Sequence, residues 1–262
     1  MTMGILRSRT RTEPVEPEQQ LAELAGELAT EERPEVPARV GVRRLARTLT
    51  HGAVRGTSAG GQFLADRLLA TAPRIPVRDL ATLRRQHPKA RTPDELADRL
   101  VTGAARATTA IGAGVGAAAV VPTAAITAEL AAELLAVAAV EVKLIAELHE
   151  VYGQAAIGST LDRTTAYLGA WAQRRGINSI SLLKPTGVLT MGAGARVRVQ
   201  VSRRLARGSL RKLPSLAPFL LGSALGAHLN RRDTLRLSQQ VRADLRTRPP
   251  RTPNYWESAT GR

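Results

Sequence analysis

The residue pattern most suggestive of catalysis is Gly56-Thr57-Ser58-Ala59-Gly60, which matches the motif G-x-S-x-G. In serine hydrolases this motif forms a sharp turn between a strand and a helix, and the turn exposes the serine hydroxyl as a nucleophile. The chemistry would be attack on an ester carbonyl, with a neighbouring base accepting the hydroxyl proton. One hypothesis is therefore a serine lipid hydrolase with Ser58 as its nucleophile.

The sequence around Ser58 does not predict the strand that this turn requires. The preceding residues 38–56 form a basic amphipathic pattern and not a continuous run of β-branched residues. The motif resembles the nucleophile elbow of patatin-like phospholipases, whose Ser–Asp dyad needs a downstream Asp-Gly pair, but no Asp in this chain precedes a Gly. We therefore interpret residues 56–61 as a turn between helices and expect Ser58 to be structural.

A second glycine pattern, Gly112-x-Gly114-x-Gly116, is similar to a dinucleotide-binding loop, and Glu133 follows it by about twenty residues. The spacing differs from G-x-G-x-x-G, and the preceding Thr92-Pro93-Asp94-Glu95 predicts the start of a helix rather than of a strand. The chain also has no Cys, and its four His residues do not stand at a spacing typical of metal ligands. We therefore expect no cofactor and no metal.

Charge is distributed unevenly along the 262 residues, whose net charge is +16. Residues 37–92 hold 12 basic and 2 acidic side chains, residues 93–162 hold 3 and 9, and residues 163–262 hold 19 and 3. An acidic, Ala-rich centre thus lies between two basic regions. Basic regions imply anionic partners, either lipid headgroups or nucleic acid.

Two segments read as basic amphipathic helices, residues 38–56 and residues 195–212. In each, the arginines fall within an arc of roughly 100–120°. They could bind anionic lipid, or they could form the solvated face of an ordinary packed helix. The candidate membrane-binding residues are Arg43, Arg44, Arg47, Arg55, Arg196, Arg203, Arg204, Arg207 and Arg211.

Two uncharged segments, residues 107–128 and residues 213–230, each carry glycines four residues apart. A segment of 22 residues would span roughly 33 Å as a helix, enough for a bilayer core. Small residues also permit close contact between helices. We expect the two segments to pack against each other, rather than each crossing a membrane alone, through Gly112, Gly116, Gly222 and Gly226.

A long helix is predicted from Pro122 to about Tyr152, since Gly153 is typical of a helix C-cap. Lys143 and Glu147 can form a pair at i, i+4 on it. Glu133 lies among Ala and Leu, and two interpretations of it stay open. It is either part of a solvated acidic face or a buried carboxylate, which would need a partner such as an Arg.

The pattern of apolar residues, caps and breaks predicts an all-α protein of about eight to ten helices, with the two Gly-containing segments packed centrally. Residues 1–16 and 247–262 have the composition of disordered termini. Residues 17–92 form a basic N-terminal helical arm, and residues 93–246 form the main helical domain.

Two blocks together resemble the EcsC protein family, a bacterial family. The first is Gly112-x-Gly114-x-Gly116, then Pro122, a long helix and Tyr152-Gly153. The second is Pro218-x-x-x-Gly222-x-x-x-Gly226-x-x-x-Asn230 followed by an amphipathic helix. The resemblance covers residues 93–246 and implies a helical, membrane-associated protein without an established enzymatic activity. Because the family is named after an operon that also encodes an ABC transporter, it also suggests a membrane protein or transporter as a partner.

These observations predict a non-enzymatic, peripheral membrane protein that binds anionic lipids through its basic helices. The N-terminal residues lack the apolar core of a signal peptide, so we expect a location in the cytoplasm at the inner face of the cell membrane. A nucleic-acid-binding protein that uses the same basic helices is the first alternative. The Ser58 hydrolase is the second.

Overall fold

Within the described residues, every regular element is a helix, which confirms the all-α prediction. The structure is a computed structural model, and it describes residues 16–29, 37–49, 66–115, 124–175 and 221–259. Residues 66–71 are helical and lead into a 3-10 turn at Ala72–Arg74. The other helices are α1 (Pro17–Leu28), α2 (Ala38–Leu49), α3 (Leu80–Gln86), α4 (Pro93–Val115), α5 (Ala124–Val151), α6 (Thr160–Arg174), α7 (Leu221–Arg246) and α8 (Tyr255–Ser258).

Helix α5 is the centre of the bundle. It packs against α1, α2, α4, α6 and α7, and every residue from Ala138 to Leu148 is buried. Eleven consecutive buried residues cover three helical turns, so this part of α5 has no face towards solvent. A helix that is apolar all round is expected to be buried in this way. Any charged side chain in these turns must therefore find its partner inside the protein.

Helices α4 and α7 run antiparallel along each other. Asp94 near the start of α4 binds Arg246 at the end of α7, and Thr108 lies beside Thr234. Gly112 near the end of α4 lies against Gly226 near the start of α7. Both helices also contact α5, so the three form the main packing unit of the bundle.

The helix ends on either side of the α5–α6 connection are defined by local caps. Gly153 has φ +65°, and the N–H groups of Gly153 and Gln154 donate to the carbonyls of Glu150 and His149. This is a Schellman arrangement, in which glycine is favoured because of its positive φ. Ser159 and Asp162 then form a reciprocal capping box at the start of α6. The two caps turn the chain so that α6 returns along α5.

Helix α3 begins later than the sequence indicates. Pro76 suggests a first helical turn, but the helix starts at Leu80, because Asp79 accepts a hydrogen bond from the Thr82 N–H (2.8 Å) and acts as the N-cap. The carbonyl of Pro76 accepts a hydrogen bond from the Lys143 ammonium instead. The segment before α3 thereby places Arg78 against Glu147 of α5.

The N-terminal helices and the C-terminal residues belong to the same core as the main helical domain. Helices α1 and α2 bury Leu21 and Leu45 against it. Residues 247–259 do not form the disordered tail expected from their composition. Trp256 is buried, its indole N–H donates to the Arg91 carbonyl (3.2 Å), and the Arg84 guanidinium lies 4.5 Å from the ring centroid. The contacts of Trp256 hold this segment on the core, although its composition is rich in proline.

Candidate functional site

Helix α2 presents an exposed basic face. Val42, Leu45 and Leu49 are buried on one side of the helix. The side chains on the other side are exposed, and the basic ones are Arg39, Arg43, Arg44 and Arg47. The helix is thus held by its apolar side, and its arginines point away from the core. Arg39 was not among the residues singled out from the sequence, although it lies one turn before Arg43 on the same face.

Three of these arginines have no ion pair in the described chain, as is also true of other basic side chains such as Lys89 and Arg236. Arg78, Arg175 and Arg242 each form an ion pair with a carboxylate of α4 or α5. Arg39, Arg43 and Arg44 form no ion pair with any part of the chain that the structure describes. Among the described residues, their positive charge is therefore not compensated by a neighbouring carboxylate, which favours contact with an external anion.

Several residues predicted from the sequence lie outside the described residues. The predicted second basic helix at residues 195–212 and the G-x-S-x-G motif both lie there. The residues concerned are Ser58, Arg55, Gly116, Arg196, Arg203, Arg204, Arg207 and Arg211.

Of the four glycines expected to mediate helix packing, Gly112 and Gly226 face each other, and Gly222 lies in the first turn of α7. A Cβ built on Gly112 would lie 2.8 Å from the carbonyl carbon of Gly226 and 2.6 Å from Asn230 Nδ2. A side chain at Gly112 would therefore collide with backbone that cannot move aside. Asn230 also donates to Glu133 of α5 (3.1 Å), so α4, α5 and α7 meet at this level.

Beyond this level the described residues of α4, α5 and α7 are uncharged in sequence. Residues 113–115 of α4, 124–128 of α5 and 221–227 of α7 carry no charged side chain. The first charged residues after these stretches are Glu129 in α5 and Arg231 in α7. None of the helices in the described ranges combines the length and the hydropathy that a membrane-spanning segment needs.

Glu141 is the centre of a buried polar network. Arg175 binds both of its carboxylate oxygens, one of them through Nε (3.0 Å). The Trp171 indole N–H donates to it (2.8 Å), and so does the Thr234 hydroxyl (2.9 Å). The Thr234 oxygen lies 3.1 Å from the Thr108 hydroxyl. One carboxylate thereby connects α5 with α6 and α7 and, through the threonines, with α4.

A second buried network surrounds Glu147. Lys143 lies one turn earlier on α5 and binds Glu147 at 2.6 Å, which confirms the pairing predicted from their spacing. Arg78 adds two hydrogen bonds of 2.8 Å. Burial alone would raise the pKa of Glu147, but the hydrogen bonds from Arg78 and the charge of Lys143 outweigh it and lower that pKa. Burial lowers the pKa of Lys143, against the opposing effect of Glu147.

Glu133 is a buried carboxylate, at 3% exposure, and not part of a solvated acidic face. The partner that the structure shows for it is the side-chain amide of Asn230. The sequence suggested an arginine from a basic region in this role, and that stays a prediction, because residues 195–212 lie outside the described residues.

An open cavity of about 860 Å³ lies between the C-terminal part of α5, helix α6 and the end of α7. His149 lies in its wall, with the ring centroid 5.3 Å from that of Tyr167. Nδ1 of His149 lies 2.7 Å from the Ile145 carbonyl and donates to it, which leaves Nε2 as an acceptor. Burial lowers the pKa of His149, so the ring is neutral at pH 7.

The buried carboxylates were only partly found by the sequence analysis. Glu133 and the Lys143–Glu147 pair were singled out, but Glu141 was not. A signal was present, because Glu141 stands between Val140 and Val142 in a helix whose apolar residues occur on every face. In such a helix a charged residue cannot be assigned to a solvated face. Its partners are distant in sequence and carry no motif.

The geometry of these networks is that of structural connections. Each of the buried carboxylates of α5 is hydrogen-bonded to another helix or to the segment before α3. Within the part of the chain that the structure describes, no group of three His, Asp or Glu side chains could hold a metal ion. Comparison with models of protein families, with curated proteins and with solved structures finds no match to this chain.

Proposed function

We propose that this chain is a non-enzymatic, membrane-associated protein of the EcsC type, which binds anionic lipids through the arginine face of α2. The observation that carries the proposal is that Arg39, Arg43 and Arg44 are exposed together on one helix face and have no ion pair among the described residues. The packed side of α2 holds these arginines on a rigid scaffold. A location at the inner face of the cell membrane fits this charge, because that surface is rich in anionic lipid.

The expected strength of the contact is modest. A basic residue near anionic headgroups contributes about 1 kcal/mol, so Arg39, Arg43 and Arg44 would contribute about 3 kcal/mol, which is on the order of a hundredfold in an equilibrium constant. Stable attachment usually needs a second contribution. The uncharged sequence of α4, α5 and α7 beyond Gly112 and Gly226 is our candidate for it.

Vesicle flotation tests the proposal. The full-length protein is mixed with vesicles of pure phosphatidylcholine or of phosphatidylcholine with phosphatidylglycerol, with and without an excess of duplex DNA. We expect flotation with the anionic vesicles only, weaker flotation at high salt because exposed charges are screened, and little competition by DNA. Strong competition by DNA, without a preference for anionic vesicles, would instead favour the nucleic-acid alternative.

A further inference from the structure

The cavity between α5, α6 and α7 has the size and the wall of a ligand-binding site. Its volume of about 860 Å³ lies within the range of small-molecule sites, about 300–1,000 Å³. Alanines and Pro249 supply its apolar surface, and the polar side chains come from α5, α6, α7 and the segment after α7. Nothing in the buried networks of α5 depends on this space being empty.

The charges in the wall are predominantly positive. Arg174, Arg248 and Arg251 line the cavity, and Asp244 is the one carboxylate among the lining residues. Asp244 binds Arg174 (2.7 Å) and Arg248 (2.8 and 2.9 Å), and so fixes the two guanidinium groups side by side. The three arginines and Asp244 together carry a net charge of +2, and the neutral His149 adds none.

Several hydrogen-bonding groups in the wall are unused among the described residues. Arg251 forms no ion pair with any of the described residues. Its backbone N–H donates to the Gly153 carbonyl (2.9 Å). Tyr167 accepts from the Ala156 N–H (2.9 Å), which leaves its own O–H free to donate. The side-chain amide of Gln154 donates to the Leu245 carbonyl (2.7 Å) and the Arg248 carbonyl (3.1 Å). The backbone of Arg248 and Arg251 is thus held in place before a ligand binds.

We propose that this cavity binds a phosphate monoester group. The net charge of +2 matches a dianion, and the arginine forks and the Tyr167 hydroxyl supply several donors to one set of oxygens. Nε2 of His149 is an acceptor for a hydroxyl on the ligand. The phosphate can belong to a small soluble molecule or to a lipid headgroup.

The proposal does not rest on membrane binding through α2. His149 lies about 30 Å along α5 from Glu129, the first charged residue of that helix. None of the α2 arginines lines the cavity. The two proposals can therefore fail separately.

The test measures binding of phosphate probes to the full-length protein by 31P NMR and calorimetry. The probes are inorganic phosphate and glycerol 3-phosphate, each titrated to millimolar concentration. A second arm compares vesicles that contain phosphatidic acid with vesicles of phosphatidylglycerol at matched surface charge. The test variant is Arg251→Gln, which retains the backbone contact to Gly153. The matched control is Arg106→Gln, which removes an exposed arginine of α4 outside the cavity.

We expect saturable binding of a soluble probe, weakened about tenfold in Arg251→Gln, which loses a charge-assisted hydrogen bond, and unchanged in Arg106→Gln. If instead only the phosphatidic acid vesicles show a preference that depends on Arg251, the cavity takes a lipid headgroup, and the proposal stands. Binding of every probe that is equal in the wild type and Arg251→Gln, or no binding in either arm, would overturn it.

Discussion

Gly112 of α4 lies against the backbone of Gly226 in α7, so closely that a Cβ on Gly112 would be 2.8 Å from the Gly226 carbonyl carbon. Contacts of this kind let two helix backbones approach each other without intervening side chains. Glycine inside a helix costs roughly 1 kcal/mol relative to alanine, so the close contact compensates for an intrinsic penalty. The contact also defines the level at which α5 is joined through Asn230 and Glu133.

Replacing Gly112 by alanine should therefore destabilise the protein by ~1–3 kcal/mol through overpacking. The matched control is Gly169→Ala in α6, because a Cβ there meets nothing within 4 Å. That substitution should stabilise the protein by ~0.5–1 kcal/mol, since it removes the helix penalty of glycine. Urea unfolding followed by circular dichroism measures both. Equal effects of the two substitutions would show that the contact of α4 with α7 is not tight.

Removing one member of the buried Glu141–Arg175 pair should be severe. Glu141→Ala leaves the mostly buried Arg175 guanidinium with only the partly exposed Asp233 (3.1 Å) as a partner and removes the acceptor of Trp171 and Thr234, so it should cost ~3–5 kcal/mol. The double variant Glu141→Ala/Arg175→Ala should lose much less than the sum of the two single losses, because the two side chains interact directly. The exposed Glu23→Ala in α1 should change the unfolding free energy by less than ~0.5 kcal/mol. Additive losses in the double variant would contradict a strong coupling between α5 and α6.

His149 should make stability fall as the solution is acidified. Burial lowers its folded pKa, Arg174 and Arg248 lower it further, and Asp244 and the hydrogen bond to Ile145 oppose them. The unfolded chain therefore binds a proton first, near its ordinary pKa of about 6.5, and the free energy of unfolding decreases as the pH falls through about 6.5 towards the lower folded pKa.

The slope is at most about 1.4 kcal/mol per pH unit for one such group. Urea unfolding at a series of pH values should show a smaller slope in His149→Gln than in the wild type. His228→Gln, at an exposed position of α7, serves as the control and should retain the slope. Identical slopes in the wild type and His149→Gln would mean that this ring is not buried as described.

The sequence predicted the start of α4 at Pro93 and the end of α5 before Gly153, because a cap depends on a few adjacent residues. Ser159 and Asp162 form their capping box within four residues, and Gly153 takes its positive φ at the end of α5. Pro76 indicated a helix start that was wrong for α3, because Asp79 is an equally local cap and the helix begins at Leu80. Two adjacent local signals can be ranked only when the tertiary contacts of each are known.

The connections between helices could not be predicted in the same way. Arg175 and Thr234, the partners of Glu141, lie 34 and 93 residues away along the chain. No spacing rule links them, and the need for a partner follows only from the burial of α5 on all sides. The docking of Trp256 is similar, since its contacts with Arg84 and Arg91 lie more than 160 residues earlier. Composition could not reveal it.

Ser58 stays a structural residue in our interpretation, although it lies outside the described residues. Ser58→Ala should leave any esterase or lipase activity of the purified protein at the level of the wild type. The activity of both proteins on a p-nitrophenyl ester and on a phospholipid measures this. A robust hydrolytic activity that disappears in Ser58→Ala would replace the non-enzymatic proposal with the second alternative, a serine lipid hydrolase.

The central claim is that the arginine face of α2 holds the protein on an anionic membrane, and matched charge reversals test it most directly. The first variant changes Arg39, Arg43 and Arg44 to Glu, and the control changes Lys89, Arg163 and Arg236, which are exposed elsewhere, to Glu. Both variants alter the net charge equally. In flotation with phosphatidylglycerol vesicles, we predict that the first variant stays in the bottom fraction while the control floats with the wild type. If the two variants float equally, or are lost equally, the membrane contact does not lie on α2.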